Sequence, residues 1–259
     1  MAFAHTGIGR IHWKLEGEDG APALVLLNSI GTDMDLWDPL LPALRARRAL
    51  LRIDTRGHGA SDAPLGDYTL ADLADDVFAA MDAAGIAQAA VAGVSLGGMI
   101  AMQMALSQPA RVEAAALICT SATMDSAAWQ ARVEMVRGQG MAAIADLAMG
   151  RFLSPGFIAA NPALAATIRR QLLTMEAAGY AGCAAAIRGM DLADRISGIT
   201  CPVLVVTGDQ DTSTPWTGHG EHLVGRIPGA RHAALSAAHL ATLEAPQALA
   251  AALSSFLAG

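Results

Sequence analysis

Along the first half of the chain, short apolar runs alternate with stretches whose apolar residues recur every three or four positions. A continuous apolar run fits a strand covered on both faces, and the three-to-four spacing fits a helix with one buried stripe. Ile8 to Leu15, Ala23 to Leu27, Ala49 to Ile53, Ala89 to Val94 and Arg111 to Cys119 are therefore predicted strands. Leu36 to Arg47, Leu70 to Ala84 and Leu96 to Leu106 are the predicted helices between them. In the second of these Leu70, Leu73, Val77, Phe78 and Met81 form the stripe, and Gly85 stops it. Asp54 to Pro64, rich in Gly and Asp, reads as a loop. Such alternation favours a mostly parallel sheet flanked by helices, an α/β architecture.

The rhythm breaks after residue 121. From 122 to 190 only helical patterns occur, punctuated by Gly138-Gln139-Gly140, Ser154-Pro155-Gly156 and Asn161-Pro162. Alternation resumes with a strand at Pro202 to Val206, a helix around Trp216 to Arg226, a short strand at Ala230 to Leu235 and a closing helix from Pro246 to Leu257. A helical block spliced into an α/β alternation predicts a core domain formed by 1–121 and 191–259, with 122–190 inserted as a helical cap or lid.

Composition narrows the function classes. Hydrophobic residues make up 53% and mean hydropathy is +0.38, yet much of this is alanine, which suits tightly packed helices. No apolar run approaches the roughly 18 residues of a membrane span. Met1 to Arg10 lacks the basic start and apolar stretch of a secretory signal, so a cytoplasmic protein without membrane partner is expected. A net charge of −7 argues against nucleic acid, whose phosphates need clustered Lys and Arg. Cys119, Cys183 and Cys201 are odd in number, far apart and set among apolar residues, so they read as core fillers, with neither disulfide nor metal site implied.

The chemistry gathers around Gly93-Val94-Ser95-Leu96-Gly97. A G-x-S-x-G pattern is informative only where a strand precedes it and a helix follows, and here both do. Such a sharp turn lifts the serine hydroxyl above the sheet and points the helix N-terminus at a reacting carbonyl. Serine is a weak nucleophile until a base takes its proton, so a histidine oriented by a carboxylate is required, in the chain order Ser, Asp or Glu, His. The acid should follow the strand at Pro202 to Val206, where Asp209 and Asp211 compete. Asp211 is favoured because it lies further into the loop, and Asp209 suits a turn hydrogen bond.

Of seven histidines, His5, His12 and His58 precede the serine and are disfavoured by order. His219 and His222 follow the acid too closely and are expected to be solvated or capping residues, and His232 falls within a strand. His239 alone sits between the last strand and the last helix, where a base can reach back over Ser95. Two backbone N–H groups should receive the developing oxyanion: Leu96, immediately after the nucleophile, and Ile30, in the loop Asn28-Ser29-Ile30-Gly31.

With these residues in place the chain resembles the α/β hydrolases, through Asp54-Thr55-Arg56-Gly57-His58-Gly59-Ala60-Ser61, the elbow at Ser95, Gly208 to Pro215, and His239 with Glu244 and Pro246. It is similar, more narrowly, to the 3-oxoadipate enol-lactonases. That likeness rests on Asn28 to Asp33 with Trp37-Asp38, on Gly97-Gly98-Met99, and in the lid on Trp129-Gln130-Ala131-Arg132, Gly138 to Met141, Gly179 to Cys183 and Asp191-Leu192. The resemblance implies a small lactone or ester substrate with a free carboxylate and no cofactor or metal. Arg132 would pair that carboxylate, the alternative being a solvated lid residue. Trp129 would pack over the ring or fill the seam between lid and core. An assembly of identical copies is compatible with the sequence.

Overall fold

The computed structural model describes residues 1–18 and 20–258. Its strands are β1 (Ala2–Thr6), β2 (Gly9–Glu16), β3 (Ala23–Leu27), β4 (Ala49–Ile53), β5 (Ala89–Val94), β6 (Val112–Ile118), β7 (Val203–Gly208) and β8 (Arg231–Leu235). They form one sheet in the order β1-β2-β4-β3-β5-β6-β7-β8. The first two neighbour pairs, β1 with β2 and β2 with β4, are antiparallel, and every later pair is parallel. As the apolar runs require, β5 and β7 are buried along their whole length. Pairings such as Leu27 with Gly93, Val94 with Ile118 and Gly208 with Leu235 align the carboxyl ends of β3, β5, β6, β7 and β8. Ligands of open parallel sheets bind along that edge.

The helices are α1 (Leu41–Leu44), α2 (Leu70–Ala83), α3 (Leu96–Ser107), α4 (Ser126–Gln139), α5 (Ala145–Phe152), α6 (Pro155–Ala160), α7 (Pro162–Thr174), α8 (Ala177–Arg188), α9 (Glu221–Arg226), α10 (Ala241–Glu244) and α11 (Pro246–Leu257). Helix α3 is buried on all sides from Leu96 to Ala105, as befits a helix apolar all round at the centre of the fold. A capping box fixes the start of α2: Thr69 accepts the Asp72 N–H, and the Asp72 carboxylate accepts the Thr69 N–H.

Helices α4 to α8 occupy the stretch between β6 and β7. Its base is closed where the Leu192 N–H donates to the Ala122 carbonyl at 3.1 Å. The two histidines of the H-x-x-H pair, expected to be solvated or capping, bond to these crossing segments instead. His219 Nδ1 lies 2.8 Å from Ser121 Oγ, and His222 Nε2 lies 3.2 Å from the Ala193 carbonyl. Helix α8 is seated firmly on the core. The backbones of Gly57 and Gly179 touch so closely that a Cβ added at Gly57 would fall 2.3 Å from Gly179 Cα. Beside them the Tyr68 N–H donates to the Gly182 carbonyl at 3.2 Å. Arg56 forks onto Asp76 through two bonds of 2.7 Å and lies over the Tyr68 ring, 5.2 Å from its centroid.

Local structure departs from the sequence reading in three places. Strand β1 was absent from it, because Ala2–Thr6 is a mixed edge segment with one buried residue and no apolar run. In place of one helix over Leu36 to Arg47 there is a 3₁₀ turn, Met34–Leu40, followed by the single turn of α1. Pro39 and Pro42 lack the N–H that a continuous α-helix needs there. Around Trp216 the chain makes a wide turn, with Thr217 extended and Gly218 at φ 82°, before α9 begins at Glu221. Among the described residues no helix is long and apolar enough to cross a membrane.

Candidate active site

Ser95 joins β5 to α3 with φ 55° and ψ −114°, and among the described residues Cys119 is the one other non-glycine residue with positive φ. Such strain persists only where neighbours over-determine it. The Ser95 N–H donates to the Ile118 carbonyl at 2.9 Å, and the Thr120 hydroxyl donates to the Ser95 carbonyl at 2.6 Å. The Gly97 N–H reaches the Asn28 carbonyl at 3.0 Å. Glycines permit this tightness. A Cβ at Gly93 would lie 2.2 Å from the Gly97 carbonyl group, and one at Gly97 would lie 2.4 Å from the Leu27 oxygen.

The loop leaving β3 completes the floor. Among the described residues, no protein acceptor takes the N–H of Leu96 or of Ile30. Next to Ile30, Gly31 is held at φ 85°, and its N–H donates to His58 Nε2 at 3.0 Å. The opposite ring nitrogen of His58 lies 3.1 Å from the Arg56 carbonyl, so it carries the proton. Burial pushes the His58 pKa down and keeps the ring neutral, leaving Nε2 free to accept. Chain order disfavours His58 as a base. Its contact with the Ile30–Gly31 loop carries no sequence signal beyond membership of the run 54–61.

Asp211 and His239 meet 2.9 Å apart, Oδ2 to Nδ1, both almost fully buried. The carboxylate also accepts the Ser213 N–H at 2.8 Å, the Thr214 N–H at 3.2 Å and the Thr214 hydroxyl at 2.7 Å. Burial alone would raise its pKa, but the interaction with His239 and these donors overrule it and hold Asp211 at about 2. An ionised Asp211 only accepts, so His239 carries its proton on Nδ1 and presents a bare Nε2. The competitor Asp209 faces away, accepting the Ser236 hydroxyl at 3.1 Å and the Ala237 N–H at 3.2 Å. Glu244 ties the histidine loop to the helical insertion: its carboxylate accepts the Ala238 N–H at 3.0 Å and the Ser154 N–H at 2.6 Å.

Ser95, His239, Ile30, Trp129 and Arg132 all line one cleft, a narrow cavity of about 20 Å³. That is room for little more than one water, and its wall on the side of the helical insertion is Trp129 and Arg132 of α4 with Ala148, Arg151 and Phe152 of α5. Arg132 stacks on Trp129, 4.5 Å from the ring centroid, and donates to the Tyr180 hydroxyl at 3.4 Å. Tyr180 is wholly buried behind it, while Cys183 points the other way, its thiol 3.4 Å from the Arg56 carbonyl. Two lining residues escaped the sequence reading. Phe152 lies parallel to His239 with centroids 6.5 Å apart, and Arg151 projects from the last turn of α5. Neither belongs to a motif; only the packing of α5 brings them in.

Residues 22–147 of the chain match the model of the alpha/beta hydrolase fold. Over 239 residues it is 35% identical to 3-oxoadipate enol-lactonase 2 of Acinetobacter baylyi, covering 92% of this chain and 89% of that one. The crystal structure of the enol-lactonase from Burkholderia xenovorans LB400 superposes with a TM-score of 0.97 at 34% identity, covering 100% of both chains. A putative carbamate hydrolase, RutD, of Variovorax paradoxus is 30% identical over 217 residues, covering 80% of each chain.

Proposed function

The chain belongs to the alpha/beta hydrolase family, and we propose that it opens 3-oxoadipate enol-lactone to 3-oxoadipate, a step of aromatic catabolism, by serine catalysis. In this reading His239 Nε2 takes the Ser95 proton as Oγ attacks the lactone carbonyl. The Leu96 and Ile30 amides receive the oxyanion. Collapse breaks the ring C–O bond, and the imidazolium returns the proton to the departing enol oxygen. The enol then ketonises, which removes the nucleophile that could close the ring again. Water, deprotonated by His239, releases the acyl group from Ser95, so the net change is the addition of one water. Asp211 remains ionised and holds the imidazole in its productive tautomer. No metal or organic cofactor takes part.

One observation supports the choice of substrate class: the Arg132 guanidinium lines the cleft that holds Ser95 and His239, and among the described residues no carboxylate pairs with it. A cation so placed favours a substrate whose acyl chain ends in a carboxylate. Trp129 supports it by stacking beneath the guanidinium, where an aromatic face stabilises positive charge. The likeness to enol-lactonases along the whole chain supports the lactone in particular. The test compares kcat/KM of the purified protein on enol-lactone with that on a neutral aryl ester and on a carbamate. Preference for the lactone by about tenfold or more is expected. Equal or better turnover of the neutral ester or of the carbamate would overturn the assignment.

A further inference from the structure

Arg132 does not stand alone. Arg151, on α5, lines the same cleft from a different helix, and both guanidiniums are half-buried. Three other lid arginines are neutralised, Arg137 and Arg188 by Asp67 and Arg169 by Asp146, while Arg170 is exposed and bonds to the Thr167 hydroxyl. Among the described residues, none lining this cleft is Asp or Glu. The two cations are near enough that burial, and then the Arg132 charge, push the Arg151 pKa below its usual value. Two unneutralised guanidiniums facing one small space repel each other, and low solvent access makes that repulsion costly. An anion between them would remove the cost.

We propose that Arg151 and Arg132 together form the carboxylate-binding end of the substrate site, so that Arg151 determines specificity for acyl chains bearing a free carboxylate. The inference rests on the reading of Ser95 and Arg132 given above and adds a second residue to it. Arg132 is braced from behind by Trp129 and Tyr180. Arg151 approaches from α5, whose next residue, Phe152, accepts the Leu240 N–H through its carbonyl at 3.0 Å and covers His239 with its ring. A carboxylate has two oxygens and lone pairs enough for two guanidiniums, one from each helix.

The experiment reads a ratio: kcat/KM for a carboxylate-bearing substrate (the enol-lactone, or a succinate mono-aryl ester) over that for the matching neutral acetate aryl ester. The fraction of folded enzyme cancels in such a ratio, so partial misfolding of a variant does not blur it. Arg151→Gln should lower the ratio by about tenfold or more, mainly through KM for the anionic substrate. Arg151→Lys, which keeps the charge but loses the fork, should fall between. Combined with Arg132→Gln, the double variant should lose less than the product of the two single losses, because both hold one group. A ratio unchanged in Arg151→Gln, with wild type still preferring the anion, overturns the role of Arg151 and leaves that of Arg132 standing. Strictly multiplicative losses overturn the shared carboxylate. No anionic preference in wild type overturns both readings at once.

Discussion

The two ends of the cleft are held in opposite ways. At the sheet end, Asp211 accepts four hydrogen bonds, Ser95 is locked by bonds to Ile118 and Thr120, and Gly93 and Gly97 leave no space for a side chain. At the lid end, Arg132 makes one bond of 3.4 Å to a side chain and rests on one ring, and Arg151 lines the same cleft, with no Asp or Glu among the described lining residues. On the proposed reading, groups between which protons and charge would move are fixed before substrate arrives, whereas those that would recognise it are left incomplete. Preorganisation lowers a barrier only where charge develops. Recognition gains from groups whose partner comes with the ligand.

The largest expected effect separates the two ends outright. Ser95→Ala should reduce turnover by about 10⁴-fold or more, and Asp211→Asn by a comparable ~10⁴-fold, while binding of a carboxylate-bearing product, read by calorimetry, persists in Ser95→Ala. Loss of binding along with turnover would show that the lid end depends on the sheet end.

Next in size is the seat of the lid itself. Asp76→Ala leaves Arg56 buried without its partner, directly beneath the Gly57–Gly179 contact and the Tyr68 ring. A buried charge stripped of its partner costs about 3–5 kcal/mol. Urea unfolding should show that loss, with KM for the substrate rising as α8 loosens. A change below about 1 kcal/mol would mean that the pair behaves like a surface bridge and does not anchor the lid.

A third effect concerns acid. Asp211 is held at about 2, against an ordinary 3.8, so its ionised form stabilises the fold above pH 3.8. That contribution drains away as pH falls from there to about 2. The shift corresponds to roughly 2 kcal/mol, and Asp211→Asn should lack that part of the acid dependence in denaturation curves. An unaltered acid limb would place the sensitivity in another carboxylate.

How much of this could be read from the chain divides along the same line. Buried parallel strands leave continuous apolar runs, so β3, β4, β5 and β7 were legible, and the edge segment β1, with one buried residue, was not. Ser95, Asp211 and His239 were legible because each follows a strand at the same edge of the sheet, in an order that topology dictates. Asp211 could be ranked above Asp209 only by loop position; the 2.9 Å contact with His239 separates them in space. Arg132 was reached through its neighbours in a motif. Arg151 was not, since its place depends on how α5 packs against α7 and meets the His239 loop through the Phe152 carbonyl, and such packing leaves no periodic trace. The prolines at 39 and 42 were visible, yet the apolar spacing around them outweighed them in the reading of that segment.

The smallest effect lies where the two ends meet. The Ile30–Gly31 loop is pressed from the lid side, where a Cβ at Gly31 would lie 3.0 Å from Leu172 and 3.1 Å from Phe152. From the core side it is held by the Gly31 N–H bond to His58 Nε2. If His58 acts only by aiming this loop, His58→Ala should lower kcat by about tenfold, less than the ~10²-fold or more lost with a direct oxyanion donor, and should leave KM nearly unchanged. His58→Gln, whose amide oxygen can take the Gly31 N–H, should recover part of that loss. Acid should act in the same sense as the alanine variant. Protonating Nε2 sets one N–H against another, and because burial lowers the folded pKa of His58, the stability it contributes is present above pH 6.5 and is lost as pH falls below that value. A His58→Gln enzyme as impaired as His58→Ala, or one whose KM rises while kcat holds, would move His58 from the sheet end of the cleft to the lid end.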